Sequence, residues 1–322
     1  MVGGQNSVNG HLQIIINQVI IFGILMLIGF ISSKTKVICQ DSLTHLARFI
    51  VKIILPCLIF AVVAGSGVTT KEFAVSLHFT VAVIILFVLL PILGYIVAKL
   101  FRLEGKSFNI FLPLMTFGNM GFIGIPLINE VYKDPLAGVS ITIYTLVDMS
   151  LLWTFGVYMC SRHIGGSSIK NSIKNMINPT TIALFLAILV LVFGIKLPKV
   201  ITDTIYGIGG TSKYLTMIYL GAALSFMDHK GVLKKPHIFA IVIVKLVIVP
   251  VLLYGIFKSY LPSVQLGILS IVAGLPIMTT VVMLAKAYDS DDHLATEAIF
   301  VTTISCLVTI PAVSVINAFL WG

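Results

Sequence analysis

The composition of this 322-residue chain is that of a membrane protein, because 58% of its residues are hydrophobic and only 10% are charged. So low a charged fraction excludes an ordinary soluble domain. The formal net charge of +9 does not indicate a nucleic-acid partner. The basic residues are instead sorted among the connections between apolar stretches, and the expected surroundings are the lipid bilayer.

Ten hydrophobic stretches follow one another along the chain, and each is long enough to cross a bilayer as a helix. We therefore predict an all-α polytopic membrane protein with ten transmembrane helices, called spans 1 to 10. The predicted spans cover residues 11–33, 43–66, 74–101, 108–132, 136–160, 178–197, 200–227, 237–260, 264–288 and 292–320.

The distribution of basic residues predicts the orientation of these spans. Twelve lysines and arginines lie in the odd-numbered connections between spans, and five lie in the even-numbered connections. Cytoplasmic connections of membrane proteins carry the excess of basic residues. We therefore expect a multi-pass protein of the inner, or cytoplasmic, cell membrane with both termini outside.

The chain divides into two halves of five spans each. The first repeat covers 1–162, a cytoplasmic connection covers 163–177, and the second repeat covers 178–322. Because five is an odd number, the second half enters the membrane in the opposite sense to the first. The pattern Pro-x-Leu-x-Tyr at 91–95 in span 3 recurs at 250–254 in span 8, which is a trace of an inverted repeat.

Each half contains one span that is interrupted by helix-breaking residues. Span 4 carries Gly-Asn-Met-Gly-Phe-Ile-Gly-Ile-Pro at 118–126, and span 9 carries Ala-Gly-Leu-Pro at 273–276. Glycine and proline weaken the helical hydrogen-bond ladder, and the freed backbone groups must be satisfied by protein or by a water-lined cavity. Such a pair of breaks is typical of a secondary transporter's substrate site. The alternative is that the glycines only allow helices to pack closely.

We expect the two breaks to cross near the bilayer midplane, where the positive ends of half-helices would favour an anion. Threonine hydroxyls at the second break would contact the substrate or cap free carbonyls. Two lysines, in spans 2 and 7, are equally well explained as guides for an anionic substrate or as solvated residues. The predicted substrate-binding residues are Asn119, Gly121, Gly124, Pro126, Gly274, Pro276, Thr279, Thr280, Lys52 and Lys213.

Two further ionisable residues lie within spans and are candidates for ion coupling, because charged groups in the bilayer are costly. Asp148 lies in the middle of span 5, and Lys245 lies at a similar depth in span 8. If they pair, protonation of Asp148 would release Lys245 and provide a proton-linked switch. A static ion pair, or two residues in separate watery crevices, is the alternative.

The motifs resemble those of the auxin efflux carrier family, which includes plant auxin exporters and bacterial malate or malonate permeases. The most specific match is Asn-x-Gly-x-x-Gly-x-Pro at 119–126, and supporting matches are Leu-Pro at 55–56, Asn-Pro at 178–179, Gly-Leu-Pro at 274–276 and Ile-Pro at 310–311. The resemblance implies a fold like that of the bile-acid symporters, in which spans 4 and 9 cross. It also implies a scaffold of spans 1, 2, 6 and 7, a moving transport domain of spans 3–5 and 8–10, and a homodimer.

The sequence therefore predicts a secondary transporter of a small carboxylate, like malate, malonate or auxin, that works by elevator-like alternating access. We expect no enzyme activity, no metal and no cofactor, and the coupling ion, if there is one, would be H⁺ or Na⁺. Two alternatives stay open: a sodium-coupled organic-anion symporter, and a membrane sensor that binds its ligand without moving it.

Overall fold

The computed structural model of the protein describes residues 2–65, 76–164, 179–226 and 235–321. Within these ranges the chain is almost entirely helical, and the connection at 163–177 lies mostly outside them. The α-helices are α1 Val2–Lys34, α2 Gln40–Phe49, α3 Leu55–Ala64, α4 Leu77–Leu100, α5 Gly105–Thr116, α6 Ile125–Val131, α7 Pro135–Leu151, α8 Val157–Ser161, α9 Pro179–Val192, α10 Lys199–Gly210, α11 Ser212–Ser225, α12 Pro236–Ile243, α13 Val249–Phe257, α14 Ser263–Ala273, α15 Thr279–Ala287 and α16 Asp292–Trp321.

Six helical stretches in the described residues are long and apolar enough to cross a membrane, which makes the chain a multi-pass membrane protein. Some of them join two α-helices through a short π-helical turn. The six stretches are Gln13–Lys34, Gln40–Ala64, Leu77–Leu100, Pro135–Ser161, Pro236–Phe257 and Asp292–Trp321.

The other four predicted spans correspond to shorter or interrupted helices. Span 4 is divided into α5 and a second half made of the π-helical turn Met120–Gly124 and α6, while span 9 is divided into α14 and α15. Span 6 is the short helix α9. Span 7 is divided at Thr211 into α10 and α11, an interruption that differs from the continuous span predicted at 200–227.

Small residues allow α1 and α11 to pack backbone to backbone. A Cβ atom on Gly29 would overlap the carbonyl oxygen of Ile218, and a Cβ atom on Gly221 would overlap that of Met26. Helix α3 packs in turn on α9 and α10, and a Cβ atom on Gly209 would approach the Leu58 Cα atom to 2.8 Å. Span 1 is thereby closely packed on span 7, and span 2 is packed on spans 6 and 7. Small residues permit such close packing in membranes.

We predict that Gly221→Ala destabilises the protein, because its methyl group cannot be accommodated without moving α1 away from α11. Overpacking of this kind costs about 1–3 kcal/mol or more, so the melting temperature of the detergent-solubilised protein should fall by several degrees. Gly207→Ala is the matched control, since nothing lies within 4 Å of a Cβ atom at that position. Equal melting temperatures for the two variants would contradict this account of the interface.

Candidate functional site

The two interrupted spans meet at their breaks and are joined by backbone hydrogen bonds. The Asn119 N–H donates to the Pro276 carbonyl oxygen at 2.7 Å, and the Met278 N–H donates to the Phe117 carbonyl oxygen at 3.2 Å. Phe117 and Met278 are both extended, so the segments form a short antiparallel bridge between Gly118 and Ile277. The breaks therefore satisfy part of each other's free backbone, as a membrane interior requires.

Two glycines of the first break are explained by the close approach of the second break. A Cβ atom on Gly118 would lie 2.9 Å from the Leu275 Cβ atom, and one on Gly124 would lie 2.9 Å from the Leu275 Cδ1 atom and 2.6 Å from the Met120 Sδ atom. Neither glycine is among the described residues with positive φ. These positions thus need glycine because a leucine packs against them, and not because of an unusual backbone conformation.

Asn119 is buried and joins the two breaks through its side chain. Its Oδ1 atom accepts a hydrogen bond from the Phe122 N–H at 3.2 Å, which caps the second half of span 4. Its Nδ2 atom donates to the Thr279 hydroxyl at 3.4 Å. Thr279 begins α15, so one amide contacts the N-terminal turns of both second half-helices.

A cavity of about 430 Å³ lies beside these two helix beginnings. Asn119, Met120 and Gly121 line it from the first break, and Met278, Thr279 and Thr280 line it from the second. The first turn of a helix carries partial positive charge, so this wall of the cavity favours an anion. In the first of these turns the N–H groups of Met120, Phe122, Ile123 and Gly124 already donate to Gly118 or Asn119. The remaining walls are mostly apolar, and the only charged residue among those described is Lys52.

A second cavity of about 790 Å³ adjoins the first and shares Lys52, Tyr219 and Thr279 with it. It extends to the helix ends at Gln40 and Asp292. We call this space the vestibule. Basic residues predominate on its walls, which include Arg48, Lys52, Lys286 and His293, together with the acidic residues Asp292 and Glu297. Glu297 forms an ion pair with Lys235, so the vestibule presents a net positive surface.

The structure brings together only part of the predicted site. Five of the predicted residues line the cavity, namely Asn119, Gly121, Thr279, Thr280 and Lys52. Gly124, Pro126, Gly274 and Pro276 lie behind it and shape the breaks. Pro126 stands where the π-helical turn Met120–Gly124 joins α6, and it has no N–H group to donate to the preceding turn.

Lys213 is not at the cavity, and its predicted role as a guide for substrate has no support in its position. Its Nζ atom lies 2.7 Å from the Glu130 Oε1 atom, in a partly buried ion pair. Glu130 lies near the end of α6, so this pair ties the second half of span 4 to α11. Sequence reasoning could not find this partner, because the two residues are 83 positions apart.

Asp148 and Lys245 are both fully buried, yet they form no ion pair with each other. Neither Asp148 oxygen has a hydrogen-bond partner among the described residues. The Lys245 ammonium instead donates to the carbonyl oxygens of Phe117 at 2.8 Å and Leu114 at 3.2 Å. The switch that depends on a direct pair is therefore not formed in this conformation.

Several residues of the cavity wall were not predicted, among them Trp153, Tyr219 and four methionines. Trp153 lies in the π-helical turn Leu152–Gly156, and Lys52 lies in another at Ile50–Ile54. Such turns occur often at functional sites. Nothing in a long apolar run distinguishes a π-helical turn from an ordinary helix, so the sequence carries no signal for Trp153 as a cavity residue.

An apolar helical chain with a cavity at two joined helix breaks has the features of a membrane transporter. Comparison with known proteins agrees: the chain belongs to the family described as membrane transport protein, whose profile matches residues 14–314. The predicted resemblance to auxin efflux carriers is thereby confirmed.

Two relatives are uncharacterized transporters of archaea. The protein from Methanocaldococcus jannaschii is 23% identical, with 94% of this chain and 96% of the relative covered. The protein from Methanothermobacter thermautotrophicus is 25% identical, with 91% of this chain and 95% of the relative covered. The chain is accordingly a transporter and not an enzyme.

Proposed function

We propose that this protein is a secondary transporter of small organic anions and that the cavity at the helix breaks binds the carboxylate. The observation that carries the proposal is that two half-helix beginnings, joined by Asn119 and Thr279, face one cavity. The partial positive charge of the two helix beginnings and the Lys52 ammonium would neutralise one carboxylate.

The cavity wall favours a monocarboxylate with an apolar or aromatic body over a dicarboxylate such as malate or malonate. Phe122, Trp153, Tyr219 and several methionines and leucines surround the polar end. Inside this cavity a second carboxylate would lie against these apolar groups, since Lys52 is the only charged side chain among the described lining residues, and its desolvation cost would be large. An auxin-like compound matches the arrangement better than a compact diacid.

We further propose the ten-span arrangement of two inverted five-helix repeats, with movement of one bundle against another. The packing of spans 1 and 7 and of spans 2 and 6 supports a scaffold, and the joined breaks support a transport domain that moves as a unit. In this proposal the vestibule opens to the cytoplasm, because its rim lies on the side that carries most basic residues. Both termini are then outside the inner membrane, and the scaffold provides the surface for a homodimer.

A substrate screen in proteoliposomes tests the proposal. Counterflow of radiolabelled benzoate, phenylacetate and indole-3-acetate would be compared with that of malate and malonate, and protein-free liposomes would correct for diffusion of the neutral acids. We expect counterflow with the aromatic monocarboxylates and at least about tenfold weaker activity with the diacids. Counterflow of malate alone would reverse the substrate assignment, and binding without counterflow would favour the sensor.

Lys52 and Lys213, both predicted to bind substrate, are expected to differ in their effect on substrate affinity. Lys52 lines the cavity, whereas Lys213 pairs with Glu130 away from it. We expect Lys52→Met to weaken binding of the best monocarboxylate about tenfold, because a charged hydrogen bond contributes about 1.5–3 kcal/mol. Lys213→Met should change the dissociation constant by less than about twofold. Isothermal titration of the purified variants measures both constants, and similar losses would contradict the placement of the site.

A sodium-coupled symporter is the second candidate. Freed backbone carbonyls of broken helices are used for Na⁺ binding in other transporters. Counterflow and uptake that proceed equally in choline and in sodium media would remove this candidate.

A further inference from the structure

We propose that Lys245 is the resident cation of the first helix break: its ammonium occupies a monovalent-cation site formed by the Leu114 and Phe117 carbonyl oxygens. No dissolved sodium ion is then needed there. The inference concerns the break itself and does not depend on the identity of the transported anion.

The end of α5 leaves backbone carbonyls without helical partners. The last helical bond runs from the Phe117 N–H to the Pro113 carbonyl oxygen at 2.9 Å, and the chain then becomes extended. The Leu114 carbonyl oxygen therefore lacks its usual helical N–H donor, and Phe117 lies beyond the helix. Carbonyls at the end of a helix carry partial negative charge, and unsatisfied ones inside a membrane are costly.

The Lys245 ammonium satisfies both of these carbonyls at once. Its Nζ atom lies 2.8 Å from the Phe117 oxygen and 3.2 Å from the Leu114 oxygen, and the side chain is fully buried. The Phe117 oxygen also accepts the Met278 N–H of the second break. Two carbonyl oxygens at the negative end of a half-helix are the same kind of ligand that binds Na⁺ in broken-helix transporters. Among the described residues, Asp148 is the ionisable group close enough to interact with this charge.

A π-helical turn in span 8 positions the Lys245 ammonium at the first break. Lys245 lies in the π-helical turn Val244–Ile248, between α12 and α13. When Pro91 of span 3 is aligned with Pro250 of span 8, the position that matches Lys245 is Leu86, which is fully buried and apolar. At the second break the Ile277 N–H donates to the Thr302 hydroxyl at 3.3 Å, and no lysine of the described residues bonds to that break. The two breaks are thus built differently, and the fixed charge belongs to the first.

Thermal unfolding of the purified protein in different chloride salts tests the inference without a transport assay. For the wild type we expect the same melting temperature in sodium, potassium and N-methyl-D-glucamine chloride. Lys245→Ala should melt lower by roughly 4 °C or more in N-methyl-D-glucamine chloride, and sodium or ethylammonium chloride should restore part of the loss. Lys245→Met should also melt lower, without restoration, because its side chain fills the space.

Lys258→Ala, which changes an exposed lysine, is the control and should not respond to the cation. A wild-type melting temperature that rises in sodium would overturn the inference, as would a Lys245→Ala variant that melts like the wild type in every salt. If Lys245→Ala does not fold, Lys245→Arg should fold because it keeps a cation. A Lys245→Met variant as stable as the wild type would count against the site. Because no substrate is used, failure here leaves the carrier proposal standing.

Discussion

Asn119→Ala is expected to abolish high-affinity substrate binding. The variant loses the amide that contacts the N-terminal turns of both second half-helices and lies at the cavity wall. An unsatisfied buried polar group costs about 1–3 kcal/mol, so the dissociation constant for the best monocarboxylate should rise about 10- to 100-fold. Isothermal titration with purified protein measures the change, and Asn129→Ala, in the same half-helix but away from the cavity, is the matched control.

Asn119→Asp separates a binding role from a purely structural one. The aspartate keeps the oxygen that accepts the Phe122 N–H, and it would cap the helix at least as well as asparagine. However, it places a negative charge where the substrate carboxylate would lie. We expect this variant to fold, because the helix cap is kept, and to lose substrate binding. An Asn119→Asp protein that binds the anion normally would show that the cavity is used in another way.

The helix breaks were predictable from sequence because their cause is local. Proline has no N–H group to donate, and glycine costs a helix conformational entropy wherever it stands. The clusters at 118–126 and 273–276 therefore indicated where the ladder stops, and the structure places the interruptions there. The break within span 7 at Thr211 differs from the predicted continuous span, although Gly209 and Gly210 precede it, because two glycines alone do not end an apolar helix.

The partners of the charged residues were not predictable, because they depend on packing between distant parts of the chain. Lys213 was interpreted from its depth in span 7, while its partner Glu130 belongs to another span. Asp148 and Lys245 were matched by depth as well, but depth does not give the direction of a side chain around the helix axis. The Lys245 ammonium instead donates to two backbone carbonyl oxygens. A pattern of side chains cannot show which carbonyl groups a broken helix leaves without a donor.

The absence of a partner for Asp148 leads to the last prediction, which concerns proton coupling. Asp148 is fully buried, and neither of its oxygens has a hydrogen-bond partner among the described residues. Burial of an ionised carboxylate in such surroundings would cost several kcal/mol. We propose that the carboxyl group is protonated in this conformation and releases its proton when the transport domain moves. An inwardly directed proton gradient should then drive monocarboxylate accumulation in proteoliposomes.

Asp148→Asn keeps the shape of the side chain and removes its proton exchange. We expect this variant to retain counterflow, which needs no net driving force, and to lose accumulation driven by the gradient by about tenfold or more. Asp203→Asn, which makes the same change at an exposed position, is the control and should accumulate substrate like the wild type. Protein-free liposomes must again be subtracted, because neutral acids diffuse along the same gradient. If Asp148→Asn still accumulates substrate at the wild-type level, the proton is carried elsewhere or not at all, and Asp148 is a structural residue of span 5.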